Sequence, residues 1–271
     1  MKRKIEKILR LIGMERLIFY YVFAKDYRKN SRGNTLFSSE QPSVRLPPAF
    51  LRFDVTATTN ASSYYQTGKE TAEKISKDYQ HHVPSNTAAS VLEWGCGPGR
   101  LIQHMPSFFH HTELNLYGAD MYKPSIDWAS TFLAEFATFY RNRINPPLRF
   151  KSNTFDFVYA VSVFTHLSEQ LSKDWMKEIL RVVKPNGLFW FSCHSGKQHL
   201  SKLNTTQRAK INNHEYVSIH SFHDGSQMYE GLHPEPWMRM IIQEAKGEVV
   251  DYQFLGLQNY QDIYMVRKLS L

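Results

Sequence analysis

The chain has 271 residues, 42% of them hydrophobic, a size that packs one α/β domain with extensions and falls short of two independent ones. Two cysteines, Cys96 and Cys193, are too few for a disulfide framework, and no apolar run is long enough to cross a bilayer. These features argue against a disulfide scaffold and a membrane span, and a cytoplasmic protein is expected.

The net charge of +8 is unevenly spread. Residues 1–30 hold nine Lys or Arg against Glu6, Glu15 and Asp26, so 9 − 3 = +6 sits there and only +2 remains for the other 241 residues. A core this close to neutral has no field to hold a phosphate backbone, and a nucleic-acid partner is not expected. Ile5, Ile8, Leu9 and Ile12 fall at helical spacing, so the basic segment reads as an amphipathic helix. Its apolar face is expected to dock on the protein itself or on a second subunit in a homodimer, or else to lie peripherally on an anionic membrane. Leu17 to Ala24 is the most apolar stretch, but Glu6, Lys7, Arg10, Glu15 and Arg16 precede it and no small-residue cleavage site follows, which is not the pattern of a secretory signal.

Asn30 to Pro48, rich in Ser, Asn, Gly and Pro, reads as a linker, so residues 1–48 are expected to form an arm and 49–271 the domain proper. Tyr64-Tyr65-Gln66-Thr67-Gly68-Lys69 then opens a helix that runs toward Ile75 and Tyr79.

Val91 and Leu92 end a strand that meets Glu93-Trp94-Gly95-Cys96-Gly97-Pro98-Gly99-Arg100, and Leu101, Ile102 and Met105 are expected to begin a helix. Three glycines at alternate positions let the backbone turn tightly and approach a ligand that a Cβ would push away. The third glycine comes one residue early for a dinucleotide-binding turn, and Glu93 would lie close to a pyrophosphate. A carboxylate beside exposed amides suits a cofactor with an ammonium group, a carboxylate and a ribose but no phosphate, which describes S-adenosylmethionine. The next strand, Leu114 to Ala119, ends in Asp120, 21 residues after Gly99 (120 − 99), the spacing at which a doubly wound sheet sets an acid against ribose hydroxyls. A helix opens around Pro124.

Phe155 to Leu167 is a long apolar run typical of a central parallel strand covered on both faces. Ser168 to Lys184 is amphipathic, Pro185-Asn186-Gly187 stops it, and Leu188 to Phe191 is the next strand. Gly196 to Pro236 follows, with His199, His214, Tyr216, His220, Phe222, His223, Tyr229 and His233 and few charges, and is expected to be an aromatic, hydrogen-bonding lid over a small-molecule acceptor. Val249 to Leu257 and Ile263 to Lys268 read as an edge hairpin. His81-His82 and His110-His111 are adjacent pairs with no second ligand group at zinc-site spacing, and no metal is expected.

The E-x-G-x-G-x-G turn, the acid after the second strand, the apolar fourth strand and the terminal hairpin together resemble the class I S-adenosylmethionine-dependent methyltransferases, from about Tyr64 to the end of the chain. The subgroup impression is of bacterial enzymes acting on small molecules or glycans. The resemblance implies an α/β, doubly wound, Rossmann-like seven-stranded sheet with an antiparallel C-terminal hairpin, preceded by the helical arm, and a lid insertion around 196–236. It implies S-adenosylmethionine as cofactor, held by Glu93, Gly95, Cys96, Gly97, Pro98, Gly99 and Arg100, by Asp120 and Met121, and by Ala160, Val161 and Ser162 beside the methionine arm. Tyr65 in the preceding helix is carried over as a further contact. Phe139 to Leu148 resembles an F-x-x-N-x-x-x-P-P-L subgroup in which an Asp after the Asn accepts from the adenine amino group. Here Arg143, a donor only, stands in that place, leaving Asn142 or backbone atoms to accept.

Methyl transfer from a sulfonium asks the protein for alignment and, when the acceptor is a hydroxyl, for a base. His166, His194 and His223 lie past strand ends or in the loop region and are the candidate bases. The fourth strand ends without the Asn/Asp-Pro-Pro-aromatic sequence that grips a planar amine, so O-methylation of a small-molecule or glycan-type acceptor is favoured. RNA methylation through the basic arm and a non-catalytic cofactor-binding scaffold subunit are the alternatives.

Overall fold

The computed structural model describes residues 15–83, 89–109, 113–220, 223–226 and 229–270, which fall into two units, Met1–Glu70 and Thr71–Leu271. In the first unit α1 (Glu15–Glu40) and α2 (Ala49–Thr56) are followed by the opening turns of α3 (Ala61–His82). The residues proposed for the amphipathic start of the arm, Ile5 to Ile12, lie outside the described residues. Phe19 and Phe23 of α1 pack edge-on against Phe50 and Phe53 of α2, with ring centroids 5.2–5.8 Å apart.

The segment expected to be a linker from Asn30 is helical through Glu40. Its polar residues, which suggest a loop, anchor the turn before α3 instead. Asn34 Nδ2 donates to the Thr59 carbonyl at 3.0 Å and its Oδ1 accepts from the Ala61 amide at 2.7 Å. Asp26 accepts from the Thr59 amide (2.6 Å) and hydroxyl (2.8 Å), and the buried Arg52 donates to the carbonyls of Pro47 and Thr59. The first part of the expected linker, residues 30–40, is therefore helix, because tertiary hydrogen bonds override composition.

In the second unit β1 (Ala89–Trp94), β2 (Leu114–Asp120), β3 (Thr138–Arg141), β4 (Phe155–Val161), β5 (Val183–Cys193), β8 (Gly247–Leu257) and β9 (Gln261–Lys268) form one seven-stranded sheet in the order β3-β2-β1-β4-β5-β9-β8. The first five are parallel, and β9 pairs antiparallel with both β5 and β8. The sequence contains no hairpin-length link between the parallel strands, so the chain crosses over with helices that cover both faces. On one face α5 (Glu169–Val182) and α7 (Glu235–Glu244) bring Trp175, Met176, Ile179, Trp237 and Ile241 onto Val158, Ala160, Phe189 and Phe191. On the other, α3 from Thr71 and α4 (Lys123–Phe132) bring Ile75, Tyr79, Ile126 and Ala129 onto Val91, Phe157, Tyr159 and Trp190.

Past the glycine loop the expected helix is a short 3-10 segment, Ile102–Ser107. Pro106 lacks the amide that an α-helix needs there, and the segment ends one residue later. The expected lid has its own secondary structure: a 3-10 turn Lys197–Lys202, α6 (Thr205–Asn212) and the two-stranded ribbon β6 (Val217–His220) with β7 (Glu230–Leu232). Leu203, Ile211, Val217 and Leu232 give it a small core of its own.

Candidate functional site

A parallel sheet of this order has a crevice at the carboxyl ends of β1 and β4, on either side of which the crossovers run in opposite directions. The glycine loop opens there. Gly95, Gly97 and Gly99 have φ of 78°, 51° and 79°, a region in which an L side chain is strained. At Gly99 a Cβ would also press on the tip of the Leu133 side chain, which would have to shift.

Asp120, the last residue of β2, locks the loop. Its Oδ2 accepts from the Gly97 amide at 2.9 Å and its Oδ1 from the Tyr122 amide at 2.7 Å. Burial raises its pKa, opposed by these backbone donors. Glu93 sits behind the loop, 3% exposed, and accepts at 3.0 Å from the Tyr159 hydroxyl. Burial pushes its carboxyl up to about 8, while Tyr159, the nearby Arg100 charge and the Ile102 amide pull it down. Glu93 therefore faces its own protein and not the crevice mouth. Cys96 is buried in the loop and its thiol is raised by burial, which leaves it an apolar filler; Pro98 is buried beside it and Arg100 is half-buried.

Across the loop, Met121 is exposed and its carbonyl accepts from Arg141. Asn142 follows β3, a strand not placed from the sequence, and its amide donates to the Asp120 carbonyl at 3.0 Å. Its side-chain Nδ2 donates to the Arg143 carbonyl while its buried Oδ1 has no hydrogen-bond partner. Arg143 is exposed.

The end of β4 is the second focus. Ala160 is buried, Val161 is half-buried, and Ser162 has a φ of 62°, a strained conformation at the strand's carboxyl end. The Ser162 amide donates to Ser192 Oγ of β5 at 3.1 Å, and its hydroxyl accepts from Gln261 Nε2 of β9 at 2.6 Å. The same Gln261 nitrogen lies 3.0 Å from His194 Nε2. Beyond it, His194 and His199 stack with ring centroids 4.8 Å apart, and Glu230 of β7 places Oε1 3.1 Å from His199 Nδ1 and 3.7 Å from His194 Nδ1. Burial lowers the His199 pKa to about 4, with His194 adding to the effect. The Glu230 carboxyl is held below its ordinary value, first by His194 and then by His199 and Lys202, against the opposing effect of burial. His194, His199 and Glu230 offer ligand atoms within 4.8 Å of one another. The expectation of no metal group rests on Cys and His spacing alone. A carboxylate 31 residues beyond His199 (230 − 199) gives no such signal in sequence.

Of the three candidate bases, His166 closes the 3-10 turn Phe164–His166 after β4. Its Nδ1 lies 3.0 Å from the Tyr229 carbonyl, which can only accept, so Nδ1 carries the proton and Nε2 presents a lone pair. Burial lowers its pKa, against the Tyr229 and Ser226 carbonyls and Glu230, while His194 lowers it further. His223 is exposed, and Gly225 of its loop donates to the His166 carbonyl at 2.7 Å. Tyr65 belongs to the first unit, its ring 5.9 Å from Phe37.

The aromatic residues expected to select an acceptor are mostly spent inside the insertion. Tyr216, Tyr229, His199 and His233 are each under 9% exposed. The Tyr216 hydroxyl donates to the Leu167 carbonyl at 2.9 Å and lies 2.8 Å from the Tyr229 hydroxyl, and Asp224 accepts from the Ser168 amide and hydroxyl at the start of α5. Phe222 lies outside the described residues.

Residues 92–191 match the methyltransferase-domain family. Among solved structures, the chain is similar to a methyltransferase from Methanosarcina mazei (TM-score 0.55, 16% identity, 71% of this chain and 97% of that one). It is also similar to one from Aquifex aeolicus (TM-score 0.55, 14% identity, 83% and 100%). A third is the magnesium protoporphyrin IX methyltransferase of Synechocystis, whose structure holds S-adenosylhomocysteine (TM-score 0.54, 13% identity, 90% and 98%). The strand order, the terminal hairpin and the glycine loop agree with the family match: residues 92–191 carry a methyltransferase domain, and the sheet around them has the fold of the S-adenosylmethionine-dependent methyltransferases it is similar to.

Proposed function

We propose that the chain transfers the methyl group of S-adenosylmethionine to a hydroxyl of a small-molecule or glycan-type acceptor. In this reading the amides of the glycine loop and Ala160 to Ser162 hold the methionine arm, with Glu93 and Cys96 shaping the loop from behind and Pro98 and Arg100 completing it. Asp120 accepts from the ribose hydroxyls through the lone pairs its two backbone donors leave free, Met121 covers the adenine, and the partnerless Oδ1 of Asn142 accepts from the adenine amino group in place of the acid that Arg143 replaces. The two buried free cysteines fit a reducing, cytoplasmic compartment.

The observation that carries the choice of a hydroxyl is the tautomer of His166. An amine with pKa near neutral can react through its own lone pair, whereas a hydroxyl needs a base, and His166 offers an unprotonated Nε2 just past the strand on which the methyl donor rests. His194 reaches the same strand end through Gln261, and His223 stands on the adjoining loop.

Incubating the purified chain with S-adenosylmethionine and a library of hydroxylated metabolites should yield an acceptor heavier by one methyl group. On that acceptor His166→Ala should lose about 10²- to 10⁴-fold in kcat with cofactor affinity unchanged. Wild-type turnover in that variant would remove the base and move the favoured acceptor from a hydroxyl to an amine.

A further inference from the structure

We propose that His194, His199 and Glu230 form a binding site for a divalent metal ion of zinc-like preference, and that the ion's open position takes the acceptor oxygen. The second clause rests on the hydroxyl-methylation reading above; the first does not.

Two observations point to a ligand. His194 and His199 are 7% and 1% exposed, and each buries a ring nitrogen, Nδ1 of His194 and Nε2 of His199, that has no hydrogen-bond partner. Leaving polar nitrogens unsatisfied in a protein interior is costly, and one of the two, His194 Nδ1, faces the Glu230 carboxylate at 3.7 Å, which His199 faces through its other nitrogen, Nδ1, at 3.1 Å; three donors turned toward one another suit a shared acceptor of lone pairs. The second observation is Lys202, whose ammonium lies 3.5 Å from His199 Nδ1 on an exposed stem. The chain's own cation leans on the cluster and can swing away into water.

The donor set decides the class of ion. Two imidazole nitrogens and one carboxylate oxygen suit zinc and its first-row neighbours, whereas calcium and magnesium take oxygen ligands. Three protein ligands leave a tetrahedral ion one open position, the arrangement of a site that binds a reacting group.

The surroundings also fit. A metal on His194 Nδ1 requires the proton on Nε2 and an acceptor opposite it. Gln261 supplies one by a half-turn of its amide. The carbonyl then accepts from His194 Nε2–H and the Ser162 hydroxyl, and the amino group donates to Ser192 Oγ, so every contact of the network is kept. Through Gln261 the cluster is tied to Ser162, at the end of the strand that holds the methyl donor. A hydroxyl bound to the ion would be acidified there and lose its proton to the base; its oxygen lone pair would form the new bond to the methyl carbon as the carbon–sulfur bond breaks, both electrons staying on sulfur as the neutral thioether.

The test uses the full chain, stripped with a chelator and titrated with zinc chloride by calorimetry and with cobalt(II) by visible absorption. The expected result is one ion per chain and the intense visible bands of tetrahedral cobalt. His199→Ala and the isosteric Glu230→Gln should each weaken binding by roughly tenfold or more, and Lys202→Met should tighten it. A double variant, His81→Ala with His82→Ala, should bind as the wild type does. The absence of binding would overturn the proposal, as would affinity unchanged in a folded Glu230→Gln protein, or binding lost with the His81–His82 pair. S-adenosylmethionine affinity, measured on the metal-free chain, reads the methyltransferase assignment separately, and methylation of an amine by the metal-free chain would sink the hydroxyl reading while leaving the metal site standing.

Discussion

Glu93 and Asp120 are both carboxylates within reach of the same loop, yet the structure uses them differently. Asp120 receives two backbone amides and remains at the crevice, whereas Glu93 lies inside with one phenol. Gly97→Val, which strains the loop at φ 51°, and Asp120→Ala, which frees the Gly97 amide, should each weaken S-adenosylmethionine binding by at least tenfold, about 1.4 kcal/mol. Unchanged calorimetric affinity in folded variants would sink the assignment of the cofactor site. Glu93 predicts a pH effect of definite sign in the cofactor-free chain. Its folded pKa, about 8, lies above the ordinary 4.5, so its contribution to stability is fully present below 4.5 and is lost as pH rises toward and through 8, where a charge must be held among Tyr159, Arg100 and Asp120. Glu93→Gln keeps the size and a partner for the Tyr159 hydroxyl but cannot ionise. Its melting temperature, compared with wild type, should gain steadily between pH 4.5 and 8; a parallel pair of curves would show that Glu93 is already ionised in the folded state.

Elements with a strong period are legible in the amino-acid sequence, and those held by tertiary contacts are not. β1, β4, α5 and the β8–β9 hairpin follow directly from apolar runs and from turn residues such as Asn259, and the residues of the glycine loop stand where their spacing puts them. β3 escapes because it has four residues, only one of them buried, and gains its place by pairing with β2. The end of α1 escapes because Asn30, Asn34 and Ser31 carry loop composition while their side chains bond across the helix and to Thr59. The cluster at the end of β5 escapes for a third reason. His194 is readable as a strand-end histidine, but its partners come from a 3-10 turn, a ribbon and β9, which no local pattern brings together. The composition of the insertion suggests a loose aromatic lid, and the structure instead fastens it to the loop after β4. Tyr216→Phe tests that fastening: it leaves the buried Leu167 carbonyl and the Tyr229 hydroxyl short of a partner and should cost about 1–3 kcal/mol. The loss should show in thermal melting and in faster amide exchange across β6 and β7, with cofactor affinity kept. Equal exchange in variant and wild type would mean that the ribbon is held by its own small core alone.

At the scale of the whole molecule the division is one of charge as well as of contacts. The unit that ends at Glu70 holds the basic excess, and α1 exposes Leu17, Tyr20, Tyr21 and Val22, each 46–66% accessible. Among the described residues no helix is long and apolar enough to cross a membrane. Apolar and basic character together on one exposed element favours contact with an anionic surface or a second subunit over a span. The first 14 residues carry Lys2, Arg3, Lys4, Lys7 and Arg10 against Glu6, which is 5 − 1 = +4 of the net +8, and they precede every contact that Asp26, Asn30 and Asn34 make. Removing residues 1–14 therefore takes away half the excess charge and leaves the α1–α2 packing in place. The truncated chain should bind S-adenosylmethionine as the full chain does, because the glycine loop, Asp120 and the end of β4 all belong to the unit that begins at Thr71. Its association with vesicles rich in anionic lipid should fall, and fall less steeply with added salt, or its mass in solution should drop from that of a dimer. Sedimentation with vesicles reads the first outcome and light scattering the second. A truncated chain that matches the full one in both measurements would strip the basic segment of both roles and leave the exposed face of α1 to act through its apolar residues alone.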